Sequence, residues 1–267
     1  MMGFAVIVGA ILAGGLQVIN TSMLHLIQAY LIGFVLTASS MILNDYVDQK
    51  IDAVNEPTRP LPSGAISPRA ALAYGLLLMI LGLALAALIG FVSFLAASAA
   101  WLLFLAYTLI GKKTGLPGNV LVSVCVATPF LYGAIVIGSS IELRIAIFAS
   151  IAFLTNLGRE VVKGIVDIEG DNSRGVKTIA VRFGASPAAL LSVFFLLSAV
   201  SLSVLPLVWQ MVSALHYLPF VLITDFGLVF SSFSILRDPT RERARMQKRF
   251  VLLWMFFGLL GFLAGSL

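Results

Sequence analysis

The stretch AYLIGFVLTASSMILNDYVDQKID, Ala29 to Asp52, changes character in the middle. Ala29 to Leu43 carries no charge, and then Asp45, Asp48 and Asp52 arrive in quick succession, with Glu56 just beyond. The uncharged half has the character of a membrane segment, and the chain as a whole agrees. Of its 267 residues 60% are hydrophobic and 11% charged, with a mean hydropathy of +1.05. Soluble domains carry about 25% charged residues, so so few charges cannot cover a water-facing surface. Apolar and polar residues nowhere alternate for long, which argues against an outer-membrane barrel and for helices. The expected fold is all-α: one polytopic membrane domain over 1–267, with nine transmembrane helices around a central cavity.

Nine apolar segments approach the roughly 20 residues needed to cross a bilayer. They lie at 3–22, 27–44, 69–89, 91–110, 119–138, 142–162, 187–207, 214–236 and 249–266. The third and fourth meet at Gly90. The start of the chain has no basic n-region, so the first segment reads as a span rather than a signal peptide. The longer polar connections are 45–68, 111–118, 163–186 and 237–248. Of seventeen Lys and Arg, only Arg144 lies beside a short connection; the other sixteen lie in or beside the long ones. The positive-inside rule makes that face cytoplasmic, with the N-terminus inside and the C-terminus outside. The net charge of +5 is thereby read as topology in a multi-pass protein of the cell membrane, and no nucleic-acid partner is expected. Cys125 has no second cysteine to pair with and reads as a buried inert thiol.

The acids follow a different logic. Asp45, Asp48 and Asp52 stand at i, i+3 and i+7, one face of a helix that continues past the hydrocarbon. Asp167 and Asp171, at i and i+4, occupy the equivalent place after the sixth span, interleaved with Arg159, Lys163, Arg174 and Lys177. Carboxylates on one face repel unless a cation joins them. Mg²⁺ takes oxygen ligands, often one or two carboxylates plus substrate phosphate. Two such clusters on one face of a bundle can hold two or more Mg²⁺ ions and grip a diphosphate, with Lys and Arg on its remaining oxygens. An allylic diphosphate activated this way leaves a carbocation in a dry cavity, where a second lipid captures it.

Both acidic stretches resemble motifs of the UbiA superfamily of membrane prenyltransferases. The first motif, N-D-x-x-D-x-x-x-D, is matched by NDYVDQKID, Asn44 to Asp52, and its continuation by Asn55 and RPLPSG, Arg59 to Gly64. The second, D-x-x-x-D, is matched by Asp167 and Asp171 in DIEGD, followed by GVKTIAVRFG. A Tyr–Lys loop resembles YTLIGKKTGLPGN, with Tyr107 and Lys112. The stretches REVVKGIVDIEGD and KKTGLPGN are most similar to archaeal members that add a second geranylgeranyl chain to geranylgeranylglyceryl phosphate. The resemblance implies Mg-dependent transfer from geranylgeranyl diphosphate to the free hydroxyl of that phosphorylated lipid, in ether-lipid synthesis. It implies metal ligation by Asp45, Asp48, Asp52, Asp167 and Asp171, helped by Asn44, with Lys163 in the catalytic set. Arg59, Lys112, Lys163 and Arg174 are expected on phosphate, Tyr107 beside the carbocation, and Asn119 and Asp225 along the substrate.

Two departures stand out. Gly164 follows Lys163 where the family often has an acid, and the chain opens directly into apolar sequence. Asn119 has the simpler alternative of capping the fifth helix, and Asp225 that of a neutral carboxyl bonded to a neighbouring helix. His25 and His216 read as interfacial. Three other functions compete: a transferase of the same superfamily with an aromatic acceptor; a secondary transporter, which would place its carboxylates nearer the midplane than these loops do; and a structural membrane protein, which gives no reason for six acidic residues in two matched loops.

Overall fold

The structure, a computed structural model, describes every residue except Glu56, Arg174 and Leu267, and every described side chain except those of Ile51, Val54 and Asn55. The described residues form helices and turns, without strands. In chain order the helices are α1 (Met2–Gly14), α2 (Gln17–Thr21), α3 (Met23–Asn55), α4 (Pro68–Ile89), α5 (Phe91–Leu109), α6 (Leu116–Val136), α7 (Leu143–Val166), α8 (Ile168–Ser173), α9 (Ile179–Phe183), α10 (Ala185–Ser203), α11 (Leu205–Val208), α12 (Ala214–Arg237) and α13 (Arg241–Ala264).

Among the described residues, eight helices are long and apolar enough to cross a membrane: α3, α4, α5, α6, α7, α10, α12 and α13. The ninth expected segment is α1, which stops at Gly14 instead of running to residue 22. Gly15, with φ of 70°, caps it by donating to the Ile11 carbonyl. Thirteen residues rise about 20 Å, short of the ~30 Å hydrocarbon core. Helix α1 is buried for most of its length and packs against α6, α3 and α13.

Other boundaries also differ from expectation. Helix α3 has 33 residues, about 50 Å, so its last turns rise out of the slab and carry Asp45 to Asp52. Helix α13 begins at Arg241, with Thr240 accepting from the Arg243 amide; most of the expected 237–248 loop is therefore helix. Residues 163–186 hold the end of α7 and the short helices α8 and α9. As expected, α4 and α5 meet at Gly90.

Small residues set the spacing of the helices, as in other membrane bundles where backbones approach closely. A Cβ on Gly133 of α6 would lie 2.2 Å from the Val6 carbonyl oxygen of α1, and one on Gly9 of α1 would lie 2.3 Å from the Phe130 carbonyl oxygen. Helix α7 is the inner helix, buried on most of its surface, whereas α4 and α5 expose most of theirs. It packs against α6, α10 and α13, and Ser192 of α10 donates to the Gly158 carbonyl at 2.9 Å.

Helices α1, α6, α7, α12 and α13 enclose a cavity of about 270 Å³. Arg159 and Glu160 lie at one end of its α7 wall and Ile151 at the other, nine residues or about 13 Å along the axis. Phe130 and Phe262 also line it, and Phe262 packs at a tilt against Phe148 with centroids 4.3 Å apart. We predict that Gly133→Leu destabilises the protein by the upper end of the ~1–3 kcal/mol of an overpacked core, or more. Thermal unfolding in detergent checks this; an unchanged midpoint would contradict the close α1–α6 contact.

Candidate functional site

The last turns of α3 place Asn44, Asp48, Asp52 and Asp45 within one arc of the helix, as their spacing requires. Each carboxylate has a cation. Lys112, in the turn after α5, lies 2.5 Å from Asp48, whose carboxylate also accepts from the Asn44 amide at 3.2 Å. Arg59 lies 2.8 Å from Asp52 and 3.6 Å from Asp45. Arg59 reaches back because the RPLPSG segment turns sharply: the Ser63 amide donates to the Arg59 carbonyl and the Ile66 amide to that of Pro60. Of the four cations expected on phosphate, Arg59 and Lys112 are thus on α3 carboxylates, and Lys163 is on Glu160 of its own helix. A groove of about 410 Å³ opens beside this turn, lined by Asp45, Asp52, Arg59 and Tyr74 among others.

The second acidic segment differs in detail from a single helical face. Helix α7 ends at Val166, and Asp167 sits in the break before α8. Asp171 nonetheless keeps the i+4 relation, its amide donating to the Asp167 carbonyl at 2.8 Å. The turn at Gly175 appears as expected, with φ of 70°. Arg174 lies outside the described residues.

Two observations bring these segments together. Gly115, after Lys112, abuts the loop before α9: a Cβ there would lie 2.5 Å from the Lys177 carbonyl oxygen. Tyr107 lies within electrostatic reach of both Asp48 and Lys163, and Lys163 within reach of Asp167. One polar rim therefore holds Asn44, Asp45, Asp48, Asp52, Arg59, Tyr107, Lys112, Lys163 and Asp167.

Asp225 stands apart. It lines the cavity and accepts from Ser203 of α10 at 2.7 Å, which is the helix-to-helix bond of the simpler alternative. Asn119 is no N-cap, because α6 starts at Leu116 after Gly115. It sits one turn in, and its carbonyl accepts from Ser123, which in turn accepts from the cavity-lining Asn156. His25 and His216 are exposed, and Cys125 is only partly buried.

One residue was missed. Glu160 is buried, with one oxygen 2.6 Å from Arg159 and the other 3.5 Å from Lys163. It supplies the carboxylate partner that Gly164 does not. Its i, i+3 spacing to Lys163 was the available signal.

The carboxylates suit Mg²⁺ of one kind. They are hard oxygen donors, of which Mg²⁺ commonly takes one or two. That is the donor set for an ion completed by phosphate oxygens and water.

Comparison with known proteins follows the same line. Residues 2–260 match the UbiA prenyltransferase family. The chain is 39% identical to the digeranylgeranylglyceryl phosphate synthase of Korarchaeum cryptofilum, covering 90% of this chain and 85% of that protein. It is 38% identical to the Archaeoglobus fulgidus protein of the same name, covering 100% and 91%. A solved structure from work on digeranylgeranylglyceryl phosphate synthase in membranes superposes with a TM-score of 0.80 at 27% identity, over 99% of this chain and 92% of that one. A UbiA homologue from Archaeoglobus fulgidus, bound to DMAPP and Mg²⁺, shares the fold with a TM-score of 0.72 at 20% identity, over 100% and 94%. With its motifs, its helical bundle and nearly its whole length in agreement, the chain belongs to the UbiA prenyltransferase family.

Proposed function

We propose that the chain transfers a geranylgeranyl group from geranylgeranyl diphosphate to the free hydroxyl of geranylgeranylglyceryl phosphate, releasing diphosphate. The observation that supports this is the pairing of the α3 aspartates with Arg59 and Lys112, and the reach of Tyr107 to both Asp48 and Lys163, next to an apolar cavity whose wall ends at Arg159 and Glu160. The names of the most similar relatives agree with it.

Asp45, Asp48 and Asp52, with Asn44, and Asp167 with Asp171 would hold two or more Mg²⁺ ions. When bound, Mg²⁺ supplies the positive charge that makes diphosphate a good leaving group. Arg59, Lys112 and Lys163 exchange their carboxylate contacts for diphosphate oxygens, and Arg174 joins them from the same segment. The bond from the allylic carbon to diphosphate breaks, and its electron pair leaves with diphosphate. The acceptor hydroxyl oxygen then bonds to that carbon, and its proton passes to the released diphosphate or a rim carboxylate. The Tyr107 ring faces the developing cation, and the apolar wall excludes the water that would compete. The cation-rich rim faces the cytoplasm of the cell membrane, with the C-terminus outside.

Three outcomes are expected. Asp45→Ala and Asp171→Ala each lower transfer by at least about a hundredfold while circular dichroism stays unchanged; near-normal turnover would remove the metal-site assignment. Chelation with EDTA stops transfer and added Mg²⁺ restores it. A panel of acceptors yields product with geranylgeranylglyceryl phosphate and none with aromatic acceptors; the opposite preference would replace this acceptor with an aromatic one. For orientation, a Ser63→Cys probe in a Cys125→Ser background is labelled only from the cytoplasmic side.

A further inference from the structure

A group of cations sits where α7 meets α13, continuous with the polar rim through Lys163. Arg159 lies on the cavity wall. Its Nη1 donates to Glu160 at 2.6 Å and its Nε to the Lys248 carbonyl at 3.3 Å. These bonds engage two of the five N–H groups of a guanidinium. The Lys248 side chain lies within electrostatic reach of Arg159, Lys163, Asp167 and Arg245. Around Lys248 and Lys163 the cations Arg159 and Arg245 stand with the acids Glu160 and Asp167, so positive charge is concentrated at this corner. An excess of cations at the edge of a hydrocarbon cavity is costly unless an anion joins them.

The geometry points to this corner as the seat of the acceptor's phosphate: a phosphate monoester held by Arg159 and Lys248, its apolar chain lying along the cavity. Arg159 is eight residues before Asp167 on the chain, about 12 Å of helix, so the ester sits beside the diphosphate rather than on it. Thr155 and Asn156 lie below Arg159, and Leu252 and Met255 of α13 supply apolar wall for the chain. Glu160 is the positioning residue. Its side chain is 9% exposed, and each oxygen holds one cation, so it aims the guanidinium. The acceptor's identity rests on the function proposed above; the preference for a lipid phosphate does not.

The test reads binding without turnover. Purified protein in detergent, with EDTA and no donor, is titrated with geranylgeranylglyceryl phosphate and with geranylgeranylglycerol, and the shift in thermal midpoint is followed. The wild type is expected to prefer the phosphorylated lipid by about tenfold or more, as charge-assisted hydrogen bonds allow. Arg159→Gln and Lys248→Met should erase that preference, and Glu160→Gln should reduce it. In turnover assays all three should raise the acceptor KM while leaving the donor KM within about twofold, a split that general loss of structure would not produce. If Glu160→Gln fails to fold, Lys248→Met, at a partly exposed position, carries the test. A wild type without the preference, or variants that keep it, would overturn the inference. Product formed only from an aromatic acceptor, with lipid-phosphate binding still dependent on Arg159, would instead remove the proposed activity and leave the phosphate site standing.

Discussion

A carboxylate at the edge of a hydrocarbon slab is stable only beside a cation, and this constraint organises the polar end of the bundle. Asp48 takes Lys112 from the turn after α5; Asp52 and Asp45 take Arg59 from the turn after α3; Glu160 takes Arg159 and Lys163 within α7. Arg159 then reaches across to the α13 backbone. The more exposed of these contacts, such as Arg59 with Asp45, are each worth about 0–1 kcal/mol, so it is the network rather than any one pair that orders the rim. These contacts also gather the charges that chemistry on a diphosphate needs. In the proposed reaction the same side chains would serve stability before a substrate arrives and recognition afterwards.

Below the rim the demands reverse. The cavity wall of α7 passes from Arg159 and Glu160 through Asn156 and Thr155 to Ala152 and Ile151. One helix therefore presents a polar head and an apolar body, which is the shape of a lipid phosphate. Phe130, Phe148 and Phe262 pack together farther along. Asp225 is the exception within the apolar part, and its bond to Ser203 satisfies an acid that bare hydrocarbon would reject.

Much of this was legible in the sequence because it is written locally. Span length, the one-sided distribution of Lys and Arg, and the i, i+3, i+7 acids need only neighbours along the chain. What escaped depends on who packs against whom. Helix α1 looked like any other apolar segment, since residues facing protein and residues facing lipid are equally greasy; only the Gly14–Gly15 pair marked its early end. The charged start of α13 passed for a loop, although Thr240 ahead of it is a sound N-cap. Glu160 was hidden among flanking cations, and Arg59 on Asp52 requires a chain reversal that RPLPSG permits but does not announce.

Helices α4 and α5 meet at Gly90 and turn most of their surface outward, while the cavity lining comes from α1, α6, α7, α12 and α13, with Ser203 from the end of α10. The outward faces answer mainly to the surrounding bilayer. An organism whose membrane thickens or thins can retune the outward faces of this hairpin, where each ångström of mismatch costs only a fraction of a kcal/mol, without changing the residues that line the cavity. Adaptation to habitat and preservation of chemistry can thus proceed on separate parts of one chain.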